Sequence, residues 1–189
     1  MCMNLAVALV HYPVYNKNRE IVTTAVTNLD VHDIARTART YGLQRYYIVT
    51  PSPEQQAMVN RITTHWDTGW GGGYNPDRKA ALSLIKVLPT VADAIKDFQQ
   101  KFCKPVEIIA TGAKPKDDAV SFRTLRQKLQ DQDKPYLLIL GTGWGLADEL
   151  FEKAELTLAP VNGAGDYNHL PVRAAFAIMM DRLLGDFRS

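Results

Sequence analysis

The sequence predicts an α/β fold, a mostly parallel sheet with helices on both faces. Two observations carry this. Four runs, Leu5 to Val10, Tyr46 to Val49, Val106 to Ala110 and Tyr136 to Leu140, are apolar at nearly every position. Strands buried on both faces read this way, which is the habit of parallel sheets. Between and around these runs lie patterns with helical period, and alternation of strand and helix implies βαβ units. A chain of 189 residues, 46% hydrophobic and 22% charged, has enough apolar material for one well-cored domain spanning 1–189.

Leu5 to Val10 is the first strand. The loop His11-Tyr12-Pro13 with Asn16, Lys17, Asn18 and Arg19 follows, a polar segment suited to a substrate side. Helical patterns run over Asp30 to Tyr41, Pro53 to Trp66, Arg78 to Lys86, Thr90 to Phe102 and Ala119 to Gln130. In the first of these, Val31, Ile34, Ala35 and Ala38 share an apolar face. Asp30 is a suitable N-cap, with Asp33 in the first turn. The opposite face carries His32, Arg36 and Arg39, spaced to project toward one ligand, or simply a solvated basic face.

Two stretches break the rhythm. Thr68 to Pro76, TGWGGGYNP, holds four glycines and a proline and reads as a mobile loop. Trp66, Trp70 and Tyr74 beside Arg78 could stack on unpaired bases, or pack locally. Pro160 to Asn168, PVNGAGDYN, is a second glycine-containing loop. The final helix, Pro171 to Leu184, opens with proline at a first helical position and ends before Gly185, placed as a C′ glycine. Its middle is apolar on nearly every side, so it is expected to bury one face in its own core and another against a partner subunit.

The sharpest local feature is Gly141-Thr142-Gly143-Trp144-Gly145-Leu146, directly after a strand. Glycines let backbone amides approach a ligand closely. No Gly-Lys-Ser/Thr follows, so this is not a P-loop, and a dinucleotide fold places its glycine turn after the first strand. On these residues alone the turn is either a ligand cradle or a packing turn. Asn168 is an N-cap or a ligand contact, and His169 a ligand contact or a helix-start residue. Thr111 and Gly112, at a strand's C-terminal end, suit a ligand edge.

Cys2 and Cys103 have no C-x-x-C spacing and no histidine cluster to complete a metal site, so reduced thiols and no metal are expected. Met1 to Val10 lacks a basic leader and is too short to span a bilayer, so a cytoplasmic protein with no membrane partner is expected. A net charge of +2 gives no whole-molecule argument for nucleic acid, so any RNA surface is a local patch.

Taken together, Gly141 to Leu146, the apolar Leu156-Thr157-Leu158-Ala159-Pro160, and Asn168-His169-Leu170-Pro171-Val172-Arg173-Ala174-Ala175 resemble the C-terminal half of the SPOUT (SpoU-TrmD) RNA methyltransferases. Thr27 to Gly42 looks like that superfamily's first motif, an asparagine loop leading to an arginine-bearing helix and then a glycine. The resemblance implies a C-terminal trefoil knot, S-adenosyl-L-methionine (SAM) as cofactor, an RNA substrate (tRNA or rRNA) and a homodimer, with no metal. It implies cofactor contacts from Thr111, Gly112, Gly141, Thr142, Gly143, Trp144, Gly145, Leu146, Pro160, Asn168, His169 and Leu170. Arg36 is the first catalytic candidate, with Asp30, Asp166 and His169 as proton acceptors. Asp30 stands where the ribose 2′-O branch carries asparagine, and Asn28 is offset by two, so the methylated atom is left open. Two other readings are a knot protein that binds SAM or RNA without turnover, and an α/β enzyme of nucleotide metabolism that uses the Gly141 turn for phosphates.

Overall fold

The computed structural model describes residues 4–131 and 133–185. Cys2 and the start of the N-terminal segment lie outside the described residues. Six parallel strands form one sheet: β1 (Leu5–Val10), β4 (Arg45–Val49), β5 (Ile85–Leu88), β6 (Glu107–Thr111), β7 (Tyr136–Gly141) and β8 (Leu156–Leu158), in the order β5-β4-β1-β7-β6-β8. A small antiparallel pair, β2 (Val14–Tyr15) and β3 (Ile21–Val22), stands apart. The central strands β1 and β7 are buried on both faces, which is why they read as unbroken apolar runs.

Alternation along β1 divides the core. Leu5, Val7 and Leu9 face the helices α1 (Asn28–Thr40), α4 (Pro76–Leu82), α6 (Phe122–Lys128) and α8 (Val172–Leu184). Ala6, Ala8 and Val10 face α5 (Val91–Phe102) and α7 (Asp148–Glu152). Helices therefore cover both faces, as expected.

Several boundaries differ from the sequence reading. The Arg78 to Lys86 pattern is instead α4 followed by the strand β5, which pairs in parallel with β4. Ile85, Val87 and Leu88 are only half-buried at this sheet edge, so they lack the run that marks a central strand. Ala119 to Gln130 shortens to α6, because Val120 is taken by an isolated bridge to Leu158.

TGWGGGYNP is not irregular throughout. After α2 (Pro53–Asp67), Trp70–Tyr74 forms a one-turn helix, α3. Its glycines serve close approach: a Cβ at Gly69 would meet the His65 carbonyl oxygen at 2.5 Å, and one at Gly72 the Trp66 carbonyl oxygen at 2.3 Å.

The helix ends differ as well. Thr27, not Asp30, caps α1: its Oγ1 accepts from Asp30 N at 3.1 Å and donates to Asp30 Oδ2 at 2.6 Å. At the other end Gly42 takes φ 73, and Leu43 N donates back to Ala38 O at 2.9 Å, closing the helix. Pro171 is the N-cap residue of α8 and not its first helical residue, and Asn168 lies too far upstream to cap it. Gly185 ends α8 in extended backbone, φ −60, not in the left-handed conformation of a C′ glycine. Glycine is needed there because a Cβ would fall 2.4 Å from the Asp181 carbonyl oxygen. Along α8, Phe176, Met179, Met180 and Leu183 are buried in the chain's own core.

Candidate active site

Three glycine-bearing loops leave the C-terminal ends of the adjacent strands β7, β6 and β8, the end of an open parallel sheet where ligands bind. The turn after β7 is tightly built. A Cβ on Gly141 would lie 2.6 Å from Leu146 N, and Gly143 and Gly145 take φ +58 and +104. The turn is tied to the β2 strand: Trp144 N donates to Tyr15 O and Tyr15 N to Gly145 O, both at 2.9 Å.

The Thr142 side chain is held from below. Its hydroxyl donates to Val10 O at 2.9 Å, and so must accept in its 2.5 Å contact with Thr24 Oγ1. Thr24 thereby spends its only hydroxyl hydrogen, while His11 O is taken by Thr24 N at 2.9 Å. Thr24 Oγ1 must then accept from His11 Nδ1 at 3.1 Å, which assigns the proton to Nδ1. His11 is fully buried, its Nε2 has no partner among the described residues, and burial pulls its pKa from 6.5 to about 4 against the pull of Asp30.

The loops after β6 and β8 meet. Asn168 Nδ2 donates to Ala113 O at 3.2 Å, setting Asn168 beside Gly112. Thr111 itself is buried and its hydroxyl donates to Ile139 O at 3.0 Å, a bond between strands. Pro160 is buried at the root of its loop, whereas Asp166, His169 and Leu170 are exposed, with the Tyr167 and His169 rings 5.2 Å apart. Open space surrounds the Cβ positions of Gly145 and Gly165, and Trp144 and Leu170 expose 66% and 44% of their surfaces nearby in sequence. Large exposed apolar side chains beside glycine-lined space are the chemistry a nucleoside-bearing cofactor needs, since a flat ring is held between apolar surfaces and backbone groups.

Arg36 and Asp30 lie elsewhere, on α1 against the start of α8. Arg173 Nη1 donates to Asp30 Oδ1 at 2.9 Å, and its Nε lies 3.4 Å from Asp33 Oδ2. Asp30 is buried, so its carboxylate is occupied by Arg173 and Thr27. Arg36 is exposed and lines a groove of about 430 Å³ with Asp33, Thr37, Tyr41, Arg173 and Ala174. His32 turns away toward α2 and α4, its ring edge-on to Trp66 at 5.8 Å, so the helical face His32/Arg36/Arg39 does not converge as a single cluster.

Sequence reasoning gave no role to Arg173 or Thr24, and His11, expected in a polar substrate-side loop, is instead fully buried. The signal for Arg173 was available: it is the one charge between Pro171 and Met180 in an otherwise apolar helix start, and such a charge needs a partner. Thr24 carried no comparable signal, since threonine in a loop is ordinary.

A family model described as SAM-dependent RNA methyltransferase matches residues 4–185. A tRNA (guanine-N(1)-)-methyltransferase of Oleidesulfovibrio alaskensis is 44% identical over 183 residues, covering 97% of this chain and 42% of that protein. The chain thus spans about two-fifths of the length of that relative. An uncharacterized protein of Aquifex aeolicus is 36% identical, with 95% of this chain and 88% of that protein covered. Among solved structures, the SpoU methyltransferase AviRb from Streptomyces viridochromogenes in complex with AdoMet superposes with a TM-score of 0.58 at 14% identity, covering 97% of this chain and 58% of that one. At that identity the likeness concerns the fold, and the fold is the SpoU-type α/β fold expected from the sequence. The match over residues 4–185, nearly the whole chain, places this protein in the SAM-dependent RNA methyltransferase family.

Proposed function

We propose that this chain, acting as one domain over 1–189, transfers the methyl group of SAM to tRNA in the cytoplasm as a homodimer. The observation that carries the reading is that three glycine-bearing loops leave the same ends of the adjacent strands β7, β6 and β8, the latter two joined through Asn168 and Ala113, inside a chain matched by the family model from residue 4 to 185. The tRNA substrate is supported by the printed name of the 44% identical relative. The guanine N1 target in that name belongs to a protein more than twice as long, and is not carried over.

In this reading Gly112, Gly141 to Leu146, Pro160 and Asn168 to Leu170 hold the cofactor, and the chain threads these loops as a trefoil knot. Thr111 and Thr142 act from beneath by fixing strand and turn. When bound, SAM supplies a methyl on a sulfonium, a good leaving group, so the protein's task is alignment and proton removal. Arg36, exposed and without a carboxylate partner among the described residues, holds the RNA phosphate near the reacting atom. His169 or Asp166 on the exposed loop takes the proton. Asp30 positions: it fixes Arg173, and with it the start of α8. A second copy completes the α1–α8 groove, whose Ala174 and Ala177 allow close approach.

The test is transfer of tritiated methyl from SAM to bulk tRNA and to rRNA, with the labelled nucleoside identified after digestion and the mass in solution measured by light scattering. Label in tRNA, lowered at least 100-fold in Arg36→Ala with SAM binding intact, supports the reading. Absence of label in either RNA from wild-type protein that binds SAM overturns it in favour of a binding module without turnover.

A further inference from the structure

The excursion between β4 and β5 is the longest helical insertion on this side of the sheet, and the reading above leaves it unused. Its features converge. Trp70 and Tyr74 lie one helical turn apart on α3, their rings stacked at 4.9 Å with planes 19° apart, and they are 76% and 73% exposed. The display is packed onto α2, because at Gly69 and Gly72 a Cβ would meet the His65 and Trp66 carbonyl oxygens at 2.5 and 2.3 Å. A pre-stacked, anchored aromatic pair with open faces loses little conformational entropy on accepting another flat ring.

Behind it stands an unpaired cation. Arg78, half-buried on α4, lies over the Trp66 ring at 4.9 Å, and its buried Nε has no partner among the described residues, nor does a carboxylate there pair with it. The neighbouring His32 Nδ1 is likewise buried and unpartnered. Arg78 and Arg36 both act on the His32 ring, whose pKa is lowered first by burial, then by Arg78, with Asp33 opposing and Arg36 adding to the fall. The Arg78 Nε is thus a buried donor without an acceptor among the described residues, which costs free energy until an anion arrives. A phosphodiester supplies such an anion, and arginine forks suit it.

We infer that α3 and α4 form a single-stranded RNA platform, in which the Trp70–Tyr74 stack takes an unpaired base and Arg78 takes the adjoining phosphate. The inference rests on the reading of RNA as substrate, and names the structural class bound: unpaired nucleotides, not duplex.

The test is fluorescence anisotropy with an unstructured RNA 12-mer and a fully paired RNA duplex, over a salt series, for wild type, Trp70→Ala and Arg78→Gln, with SAM affinity measured in parallel. Stacking of one base implies that Trp70→Ala weakens single-strand binding about 5- to 100-fold with little change for duplex. Arg78→Gln lowers the slope of log affinity against log salt by about 1. Trp70 is exposed, so its variant is expected to fold. Single-strand binding by both variants equal to wild type overturns the inference, even where wild type methylates tRNA. Loss in Trp70→Ala without any methylation by wild type retains the platform and removes the proposed reaction instead.

Discussion

The Arg173 guanidinium holds Asp30 at 2.9 Å across 143 positions of sequence, joining the first turn of α1 to the first turn of α8. The carboxylate side chain is 7% exposed and the guanidinium 31%. A pair this enclosed on its acidic side is costly to break, because removal of the cation leaves a buried charge. Arg173→Met is therefore expected to destabilise the protein by about 2 to 3 kcal/mol, the lower part of the usual range because Arg173 is partly hydrated. Urea denaturation measures it. Adding Asp30→Asn to Arg173→Met should recover part of the loss, and equal losses in the single and double variants would show that Asp30 is held by Thr27 alone.

The buried His11 gives a pH dependence whose sign follows from its depressed pKa. The unfolded chain takes up a proton near 6.5, the folded chain only near 4. Between these values the unfolded state binds more protons, so stability is complete above about pH 6.5, falls as pH drops toward 4, and levels below. The difference amounts to about 3 kcal/mol. His32, also lowered, adds in the same direction. Denaturation midpoints at pH 7 and pH 4.5 should differ, and the difference should shrink in His11→Asn, whose side-chain amide still donates to Thr24. Nitrogen NMR should find the His11 proton on Nδ1, and a proton on Nε2 would contradict the hydroxyl chain.

Thr142 is where that chain reaches the glycine turn proposed to hold the cofactor. Thr142→Val keeps the shape and removes the hydroxyl, leaving Val10 O without that donor and the Thr24 hydroxyl hydrogen without its acceptor. A cost of about 1 to 3 kcal/mol is expected, shared between folding and the placing of the Gly143–Gly145 backbone. Calorimetric titration of SAM should find affinity about tenfold lower, while Thr142→Ser restores it. Unchanged affinity would confine Thr142 to stability.

The strands at the sheet centre were legible because burial on both faces leaves its mark on every residue, as Leu5 to Val10 and Tyr136 to Leu140 show. The half-buried edge strand β5 leaves no such mark, and its first two residues fall within the Arg78 to Lys86 helical pattern. Composition misleads at Gly69 and Gly72, because glycine signals freedom in one context and close packing in another, and only the positions of the His65 and Trp66 carbonyl oxygens decide between them. The loops after β6, β7 and β8 are legible as glycine-bearing segments at strand ends. The ties between them are not: His11, Thr24 and Thr142 are far apart in sequence, and nothing local marks a hydroxyl that will meet another.

The turn after β7 separates two roles of glycine. At Gly141 a Cβ would sit 2.6 Å from Leu146 N and 2.9 Å from Gly145 C, both backbone atoms that cannot swing aside. Gly141→Ala must therefore move the turn, and a loss of about 2 kcal/mol in stability with at least tenfold weaker SAM binding is expected. At Gly165 nothing lies within 4 Å of the Cβ position, so Gly165→Ala should leave stability within about 0.5 kcal/mol of wild type. Thermal denaturation and SAM titration on the pair test the placement: weaker SAM binding in Gly141→Ala marks the turn as part of the cofactor site. Full SAM affinity in a destabilised Gly141→Ala would return that turn to packing and move the cofactor toward the loop after β8.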